Sequence, residues 1–519
     1  MKLVTTAQMH ALEAEAVARG KTEWALMNSA GLATAQETWL AFGQLEERLV
    51  VVLVGPGNNG GDGLIAAANL RDYEADVHAY LLAPRPADDP ALQLALEAGV
   101  VVSTVADDPG LAHLDEMLER TAGVLDALLG IGAHRPIEGD LAAILDHLGA
   151  IRTRRSRRFQ IIALDVPTGI DADTGRADPH TVGADLTLCF GYAKIGMFQF
   201  PARMLGGQVV RVDIGIPDDL GPDLPYDEID LRAAQRAAPP RPLDAHKGSF
   251  GRAVLAAGSR RYPGAAVLAA EACARAGAGL TTIAAPASAQ PLLTYFRDAT
   301  HEPLPDTDGV LNADGARALL RALPGASALL VGPGLDLTPA SREFVRTLLA
   351  GLDGVPGLNA VVLDADALNA LADEPGWHER FAAPCILTPH PGEMARLLGR
   401  TADDVQANRL DCATRYAQAT RSVVVLKGAC TIVAAPDGRA RLSSVANPML
   451  AHGGTGDVLA GLIVGLVAQG ADPFDAATAA VYLHGESAAM VAAEYGAAAG
   501  LAQDLLRALP DARKTLDAP

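Results

Sequence analysis

The chain has 519 residues, half of them hydrophobic and 20% charged, which is too long for one ordinary domain and too apolar for extensive disorder. A formal net charge of −20 argues against nucleic-acid binding through the overall field, yet leaves room for local anion sites built from backbone amides. Five scattered cysteines with no CxxC pair (Cys189, Cys273, Cys385, Cys412 and Cys430) point to a reducing, cytoplasmic setting and away from a disulfide frame or a zinc site.

The first expected element is an amphipathic helix. Thr5 followed by Gln8 is a capping-box pattern, and Met9, Leu12 and Ala16 fall on one face. The stretch has no apolar core of the secretory kind. Short apolar runs then alternate with Ala-rich helical stretches, the pattern of a mostly parallel sheet covered by helices. Strands are expected at 49–54, 77–82, 124–129, 161–165, 186–190 and 209–213. The arginine-rich segment 152–158 reads either as an anion or partner patch or, more simply, as a solvated loop. Pro217, Pro222, Pro225, Pro239, Pro240 and Pro242 place a boundary near 218–240. Alternation resumes with expected strands at 252–257, 280–284, 328–331, 360–363, 386–388, 423–426 and 431–434. The apolar run Val458–Val467 carries Gly461 and Gly465 and is too short to span a bilayer, so no membrane partner is expected. Two α/β domains result, at 1–225 and 232–519.

In the first domain, the strand ending at Val54 runs into Pro56-Gly57-Asn58-Asn59-Gly60-Gly61-Asp62-Gly63, with a helix expected near Leu64. Glycines let backbone approach a ligand and take positive φ, and a helix start offers unpaired N–H groups with about half a positive charge. This suits a phosphate, although neither GxGxxG nor a Walker P-loop is present, and an ordinary tight βα turn would look the same. Ligands of open parallel sheets bind at the carboxyl ends of strands. Asp126 lies within the expected strand 124–129, the loop Gly130-Ile131-Gly132-Ala133-His134-Arg135-Pro136 follows it, and Asp165-Val166-Pro167-Thr168-Gly169 closes the next strand, so each is expected to face the same crevice. Asn59, Asp126 and Thr168 offer only hard oxygens, which suits a Group I or II cation, though each could equally cap a helix or form a turn.

These motifs, with Gly191-Tyr192-Ala193-Lys194, resemble the N-terminal domain of the bacterial bifunctional NAD(P)H-hydrate repair enzymes over about residues 1–225. The resemblance implies a Rossmann-like three-layer fold that interconverts R and S epimers of NADH or NADPH hydrated at C6 of the nicotinamide ring. It implies substrate contacts at Asn58, Asn59, Gly60, Gly61, Asp62, Gly130 to Pro136 and Asp165, and K⁺ at Asn59, Asp126 and Thr168. Thr168 stands where many relatives carry serine, which keeps the oxygen. Chemically, the ring nitrogen can expel a protonated C6 hydroxyl and water can return on the other face. Asp165 and Lys194 are the candidates for moving that proton, and Lys194 has the alternative of only holding phosphate.

In the second domain, Asn447-Pro448-Met449-Leu450-Ala451-His452-Gly453-Gly454-Thr455-Gly456-Asp457 precedes an apolar helix. GTGD at a helix start gathers amides around an anion beside a carboxylate. A helix dipole contributes about 0.3–1 kcal/mol to anion binding, too little for phosphoryl transfer, so several amides and Mg²⁺ are expected as well. Asp457 is expected to orient and deprotonate a substrate hydroxyl, even though a helix start should lower its pKa. Gly332-Pro333-Gly334, Asp364-Ala365-Asp366, Thr388-Pro389-His390-Pro391-Gly392-Glu393 and the turn Lys427-Gly428-Ala429-Cys430-Thr431 stand at neighbouring strand ends.

HKGSFG, VGPGL, DADALN, LTPHPGE, VLKGA and NPMLAHGGTGD together resemble the NAD(P)H-hydrate dehydratase branch of the ribokinase-like superfamily over about 232–519. The resemblance implies a ribokinase-like α/β fold that phosphorylates the C6 hydroxyl of the S epimer with ADP and releases AMP, after which phosphate leaves. It implies hydrate contacts at Ala265, Gly334, His390 and Asp457, and nucleotide contacts at Lys427, Gly428, Ala429, Cys430, Thr431 and Gly456. The expected partners are NADHX, NADPHX and ADP, with no nucleic acid, and a homo-oligomer. Two alternatives remain at this stage. One is a sugar or hydroxymethylpyrimidine kinase fused to a binding domain; the other is a nucleotide sensor attached to a kinase-like half.

Overall fold

The computed structural model describes residues 1–132, 135–155, 159–380 and 383–517. The chain divides into two compact units, Met1–Tyr226 and Asp227–Pro519.

Unit 1 opens with the strand Lys2–Val4, which pairs in parallel with Ala193–Lys194, and with the helix Thr6–Ala18. Thr5 caps that helix by accepting from the Gln8 N–H, while the Gln8 side chain accepts from the Thr5 N–H, and Met9, Leu12 and Ala16 are buried. The main sheet follows the order Val101–Thr104, Asp76–Leu81, Leu49–Val54, Gly123–Ala127, Gln160–Leu164, Leu186–Phe190, Gln208–Val212, with every pairing parallel. Strand order reverses between Leu49–Val54 and Gly123–Ala127, so the crevice that parallel sheets use for ligands opens at Val54 and Ala127. One face buries Val51, Leu53, Val124, Ile161 and Ala163 beneath the helices Ala112–Arg120 and Gly139–Arg154. The other carries Val52, Ala127 and Leu164, and the helix Asn58–Leu70 lies against these through Gly63. The helix Glu23–Phe42 meets Asn58–Leu70 at Gly31, where a Cβ would stand 2.5 Å from Ile65 Cγ2.

In unit 2, Thr300–Leu304, Leu280–Pro286, Arg252–Ala256, Ala328–Val331, Ala360–Leu363, Cys385–Leu387 and Val423–Leu426 are adjacent and parallel. Ile432–Ala434 and Ala440–Leu442 then extend the sheet antiparallel. Its core is the apolar helix Thr455–Ala468 packed on Pro263–Ala276. A Cβ on Gly461 would stand 2.2 Å from the Ala269 carbonyl oxygen, and one on Gly465 2.6 Å from that of Cys273. The two glycines therefore bring the helices into backbone contact and fix the start of Thr455–Ala468 over the strand ends. Val101–Thr104 and Thr300–Leu304 are strands that hydropathy does not mark, because each is only partly buried, and Ala440–Leu442 is three residues long with an arginine at its centre.

Candidate active sites

In unit 1 the helix begins at Asn58, six residues before the expected start, so the glycine run forms its opening turns. Gly60, Gly61 and Gly63 are not in the positive-φ region, contrary to expectation. They serve close approach instead. A Cβ on Gly60 would lie 2.0 Å from the Gly55 carbonyl oxygen, and one on Gly63 2.5 Å from Ala127 Cβ. Behind this cradle, Arg85 Nη1 donates to the carbonyls of Gly55 (2.8 Å) and Gly57 (3.1 Å), and its Nε donates to Asp89 (2.7 Å). With those carbonyls held, the helix amides are left for a ligand.

A cleft of about 810 Å³ gathers Asn58, Asn59, Asp62, Gly130, Ile131, Gly132 and Asp165. Gly60 and Gly61 lie buried beneath its wall, and Arg135 and Pro136 are exposed outside it. Ala133 and His134 lie outside the described residues, as do Arg157 and Arg158 of the arginine segment. Sequence reasoning missed His10, Glu13 and Met27, which enter the cleft from the first two helices. Their only signal was a polar His10/Glu13 pair on a helix read simply as amphipathic.

Asp165 stands at the end of Gln160–Leu164 with a left-handed φ of 68°. Its Oδ1 accepts from Lys194 Nζ and from the Phe190 N–H (3.2 Å), and Lys194, fully buried, also donates to the Phe190 carbonyl (3.0 Å). Asp62 is equally secluded but has no side-chain hydrogen bond or ion pair among the described residues. Burial, then the negative charges of Asp165 and Glu13, hold its carboxyl well above the usual carboxylate range.

The expected cation ligands surround the segment Leu128–Gly130. Asp126 is buried and accepts from the Thr168 hydroxyl (2.6 Å) and N–H (2.8 Å). The Thr168 hydroxyl oxygen accepts from the Leu129 N–H (3.1 Å), and Asn59 packs against Gly130. Asn59 Nδ2 is buried without a hydrogen-bond partner among the described residues.

In unit 2 a pocket of about 390 Å³ unites Ala265, Gly334 and Asp457 with Tyr262, Asp336, Leu337 and Asp366. Gly334 has a φ of 64°, and a Cβ there would meet the Tyr262 carbonyl oxygen at 2.8 Å and Ala265 Cβ at 2.9 Å, so only glycine keeps this wall open. Asp457 lies in the first turn of Thr455–Ala468. Burial, reinforced by Asp364 and Asp366 and opposed by Lys427, pushes its carboxyl up to about 7. The helix start was expected to lower it, but desolvation and two neighbouring carboxylates outweigh a dipole effect of about 1 kcal/mol.

Lys427 follows Val423–Leu426 and turns inward. Its Nζ lies 2.6 Å from Asp364 and 3.9 Å from Glu393. Burial pulls its pKa down, but Asp364, Glu393 and Asp457 more than offset this and the net direction is upward. Gly456 packs against the same Nζ. Gly428 and Ala429 are exposed, while the Cys430 side chain is buried, so the turn Gly428–Thr431 presents mainly backbone.

Arg409, unforeseen from sequence, donates to the carbonyls of Leu426 (3.1 Å), Lys427 (3.4 Å) and Cys430 (3.4 Å) from inside the turn. Burial lowers its pKa to about 10, which leaves it charged. Its helix position, Arg409 in Arg409–Thr420, reads like any helical arginine and gives no signal. His390 stands apart from the pocket lining. It caps the helix Pro391–Leu398, its Nδ1 accepting from the Gly392 N–H (3.0 Å), and burial and Lys427 lower its pKa. His484 was also missed. Its Nε2 donates to the Thr455 carbonyl (2.9 Å), and burial lowers its pKa to about 4, so the ring is neutral when it braces the helix start.

The sequence was compared with known families. A model described as NAD(P)H-hydrate dehydratase matches residues 253–511, and one described as YjeF-related protein N-terminus matches 23–196. A bifunctional NAD(P)H-hydrate repair enzyme from Moorella thermoacetica is 37% identical over 528 residues, covering 100% of this chain and 97% of that one. The corresponding protein of Salinibacter ruber is 37% identical over 514 residues, covering 95% and 92%. A solved structure titled ADP/ATP-dependent NAD(P)H-hydrate dehydratase from Bacillus subtilis aligns at 34% identity and a TM-score of 0.49, covering 56% of this chain and 98% of that one.

Proposed function

We propose that this chain, which belongs to the family of bifunctional NAD(P)H-hydrate repair enzymes, repairs hydrated NADH and NADPH with unit 1 as epimerase and unit 2 as ADP-dependent dehydratase. The observation that carries the reading is Asp457. It is a carboxyl brought to about 7 in a pocket with Ala265 and Gly334, and Lys427 connects it to the amide-rich turn Gly428–Thr431.

In unit 2, Asp457 takes the proton of the C6 hydroxyl as its oxygen attacks the terminal phosphorus of ADP, and AMP leaves. Amides of the turn Gly428–Thr431, other than that of Cys430, which donates to the Val445 carbonyl (2.9 Å), hold the nucleotide phosphates together with that of Gly456, and Lys427 neutralises charge between them and Asp364. The N1 lone pair then forms N1=C6 as phosphate departs with the C6 oxygen, and loss of a C5 proton restores the C5=C6 bond. Asp364 and Glu393 present hard oxygens on either side of Lys427, a donor set that fits Mg²⁺. Bound there, Mg²⁺ would neutralise phosphoryl oxygens. His390 lies outside the lining of that pocket, so in this reading it meets the hydrate only where the ligand extends past Asp457 toward the strand end after Cys385–Leu387.

In unit 1, the cleft takes the hydrate between the Asn58–Asp62 cradle and Gly130–Gly132, and Asp165, oriented by Lys194, exchanges a proton with water at C6. K⁺ fits Asn59, Asp126 and Thr168. What supports that reading is the donor chemistry, since all three residues offer the hard oxygens that K⁺ takes. That ion would fix the loop after Gly123–Ala127. The buried thiols of Cys189, Cys273, Cys385, Cys412 and Cys430 fit a cytoplasmic location. Trp24, Leu32, Trp39 and Leu40 expose an apolar face for the proposed homo-oligomer.

The test uses purified chain, mixed NADHX epimers, Mg²⁺ and K⁺, with ADP, ATP or no nucleotide. Recovery of reduced-nicotinamide absorbance with AMP formed, running to completion on both epimers, is the expected outcome. A stable phosphorylated product would show a plain kinase instead.

A further inference from the structure

We propose that Asp62 is a catalytic residue of the epimerase, the general acid that protonates the departing C6 hydroxyl, with Asp165 as the base that receives a proton from the water returning on the opposite face. This deepens the epimerase reading of unit 1 and rests on it.

Asp62 and Asp165 line the same cleft from different elements. Asp62 lies in the helix that follows Leu49–Val54, and Asp165 ends Gln160–Leu164. In the sheet, Gly123–Ala127 separates those two strands, so at about 4.8 Å per strand their ends are about 10 Å apart. The two carboxyls thus enter one cleft from elements on either side of the intervening strand, near enough that the charge of Asp165 is felt at Asp62.

The charged groups around Asp62 are unequally shared. Lys194 is committed to Asp165, and Arg85 to Asp89 and the Gly55 and Gly57 carbonyls. Glu13, on the first helix, adds negative charge and pairs with His10 at 3.3 Å. Among the described residues Asp62 is therefore paired with no cation, and burial with like charges holds its carboxyl well above the usual range against the opposing charge of Lys194, whereas Asp165 has hydrogen-bond donors. Two carboxyls whose surroundings separate them in this way divide the roles of acid and base.

The step balances. The Asp62 proton passes to the hydroxyl oxygen, the C6–O bond breaks as the N1 lone pair forms N1=C6, and water departs. A second water adds to the other face of C6 and loses its proton to Asp165. A proton has moved from Asp62 to Asp165 and returns through solvent. In the reverse direction the two residues exchange roles.

The experiment uses the full chain without nucleotide, so that unit 2 is silent, and follows the chromatographic ratio of NADHX epimers across pH, corrected for spontaneous exchange. Wild type should lose rate as pH rises through the Asp62 titration. Asp62→Asn should exchange epimers at least 100-fold more slowly, the usual contribution of a general acid, with no alkaline limb. Asp62→Glu should keep that limb and at least a tenth of the rate. Nucleotide-driven repair of the S epimer and a calorimetric melt of the same samples confirm folding. A wild-type rate independent of pH, an Asp62→Asn rate near wild type, or equal loss in both variants would overturn the assignment. A wild-type chain with no interconversion at any pH would instead remove the epimerase reading itself.

Discussion

Asp457→Asn separates catalysis from stability in one substitution. In the folded chain its carboxyl is raised from an ordinary value near 3.8 to about 7. Between those values the native state binds more protons than the unfolded chain, so stability falls as pH rises across the window and stays low above it. A gap of about three pH units, at about 1.4 kcal/mol each, amounts to about 4 kcal/mol of native-state cost at pH 8.5 and about half that at pH 5.5. Asparagine fills the same space without this penalty. Calorimetry should therefore show the unit 2 transition of Asp457→Asn above that of wild type, with the larger gain at pH 8.5. In the same protein, ADP-driven absorbance recovery should fall at least 100-fold. The wild-type rate should drop below pH 7, because the base must be ionised. A variant that is equally stabilised at both pH values, or that repairs the S epimer at normal speed, would refute both the electrostatic account and the assigned role.

Three further outcomes are expected. Asp165→Ala should abolish R-to-S conversion and leave nucleotide-driven repair of the S epimer intact, measured by epimer ratio and absorbance on one preparation. Gly334→Ala places a Cβ 2.8 Å from the Tyr262 carbonyl at a φ of 64°, so it should raise KM for the hydrate at least tenfold while leaving KM for ADP within twofold. Arg409→Met removes the donor that holds the carbonyls of Leu426, Lys427 and Cys430, and should do the reverse, raising KM for ADP tenfold with the hydrate unaffected.

Much of this was legible because motif and topology coincide. Glycine runs and acidic pairs at strand ends reveal where a parallel sheet opens, and Thr5 with Gln8 announces its helix by chemistry that acts within four residues. What stayed hidden depends on distant contacts. Whether the NNGGDG glycines begin a loop or a helix is decided by the Gly55 carbonyl and Ala127, which a local pattern does not include. Arg409 and His484 brace their sites from helices whose sequences look ordinary. The direction of the Asp457 shift required knowing that Asp364 and Asp366 converge on it, and the dipole argument alone gave the opposite sign.

The two sites reach the same electrostatic device from unrelated motifs. Each has a lysine paired with a carboxylate at a strand end, Lys194 with Asp165 and Lys427 with Asp364, and beside it a carboxyl that forms no ion pair among the described residues. The reactions explain why. Both begin at one C6 hydroxyl, but epimerisation must protonate that oxygen to expel it, whereas phosphorylation must take its proton away. Asp62, crowded by Asp165 and Glu13, is held well above the carboxylate range and keeps a proton to give. Asp457 feels Lys427 as well as its acidic neighbours and settles near 7, where a useful fraction is ionised and able to accept one. In each half the lysine opposes burial and the acidic neighbours at the second carboxyl, and the two balances come to rest at different points. A lysine introduced beside Asp62 should suppress epimer exchange at neutral pH, and neutralising Lys427 should shift the acid limb of dehydration upward.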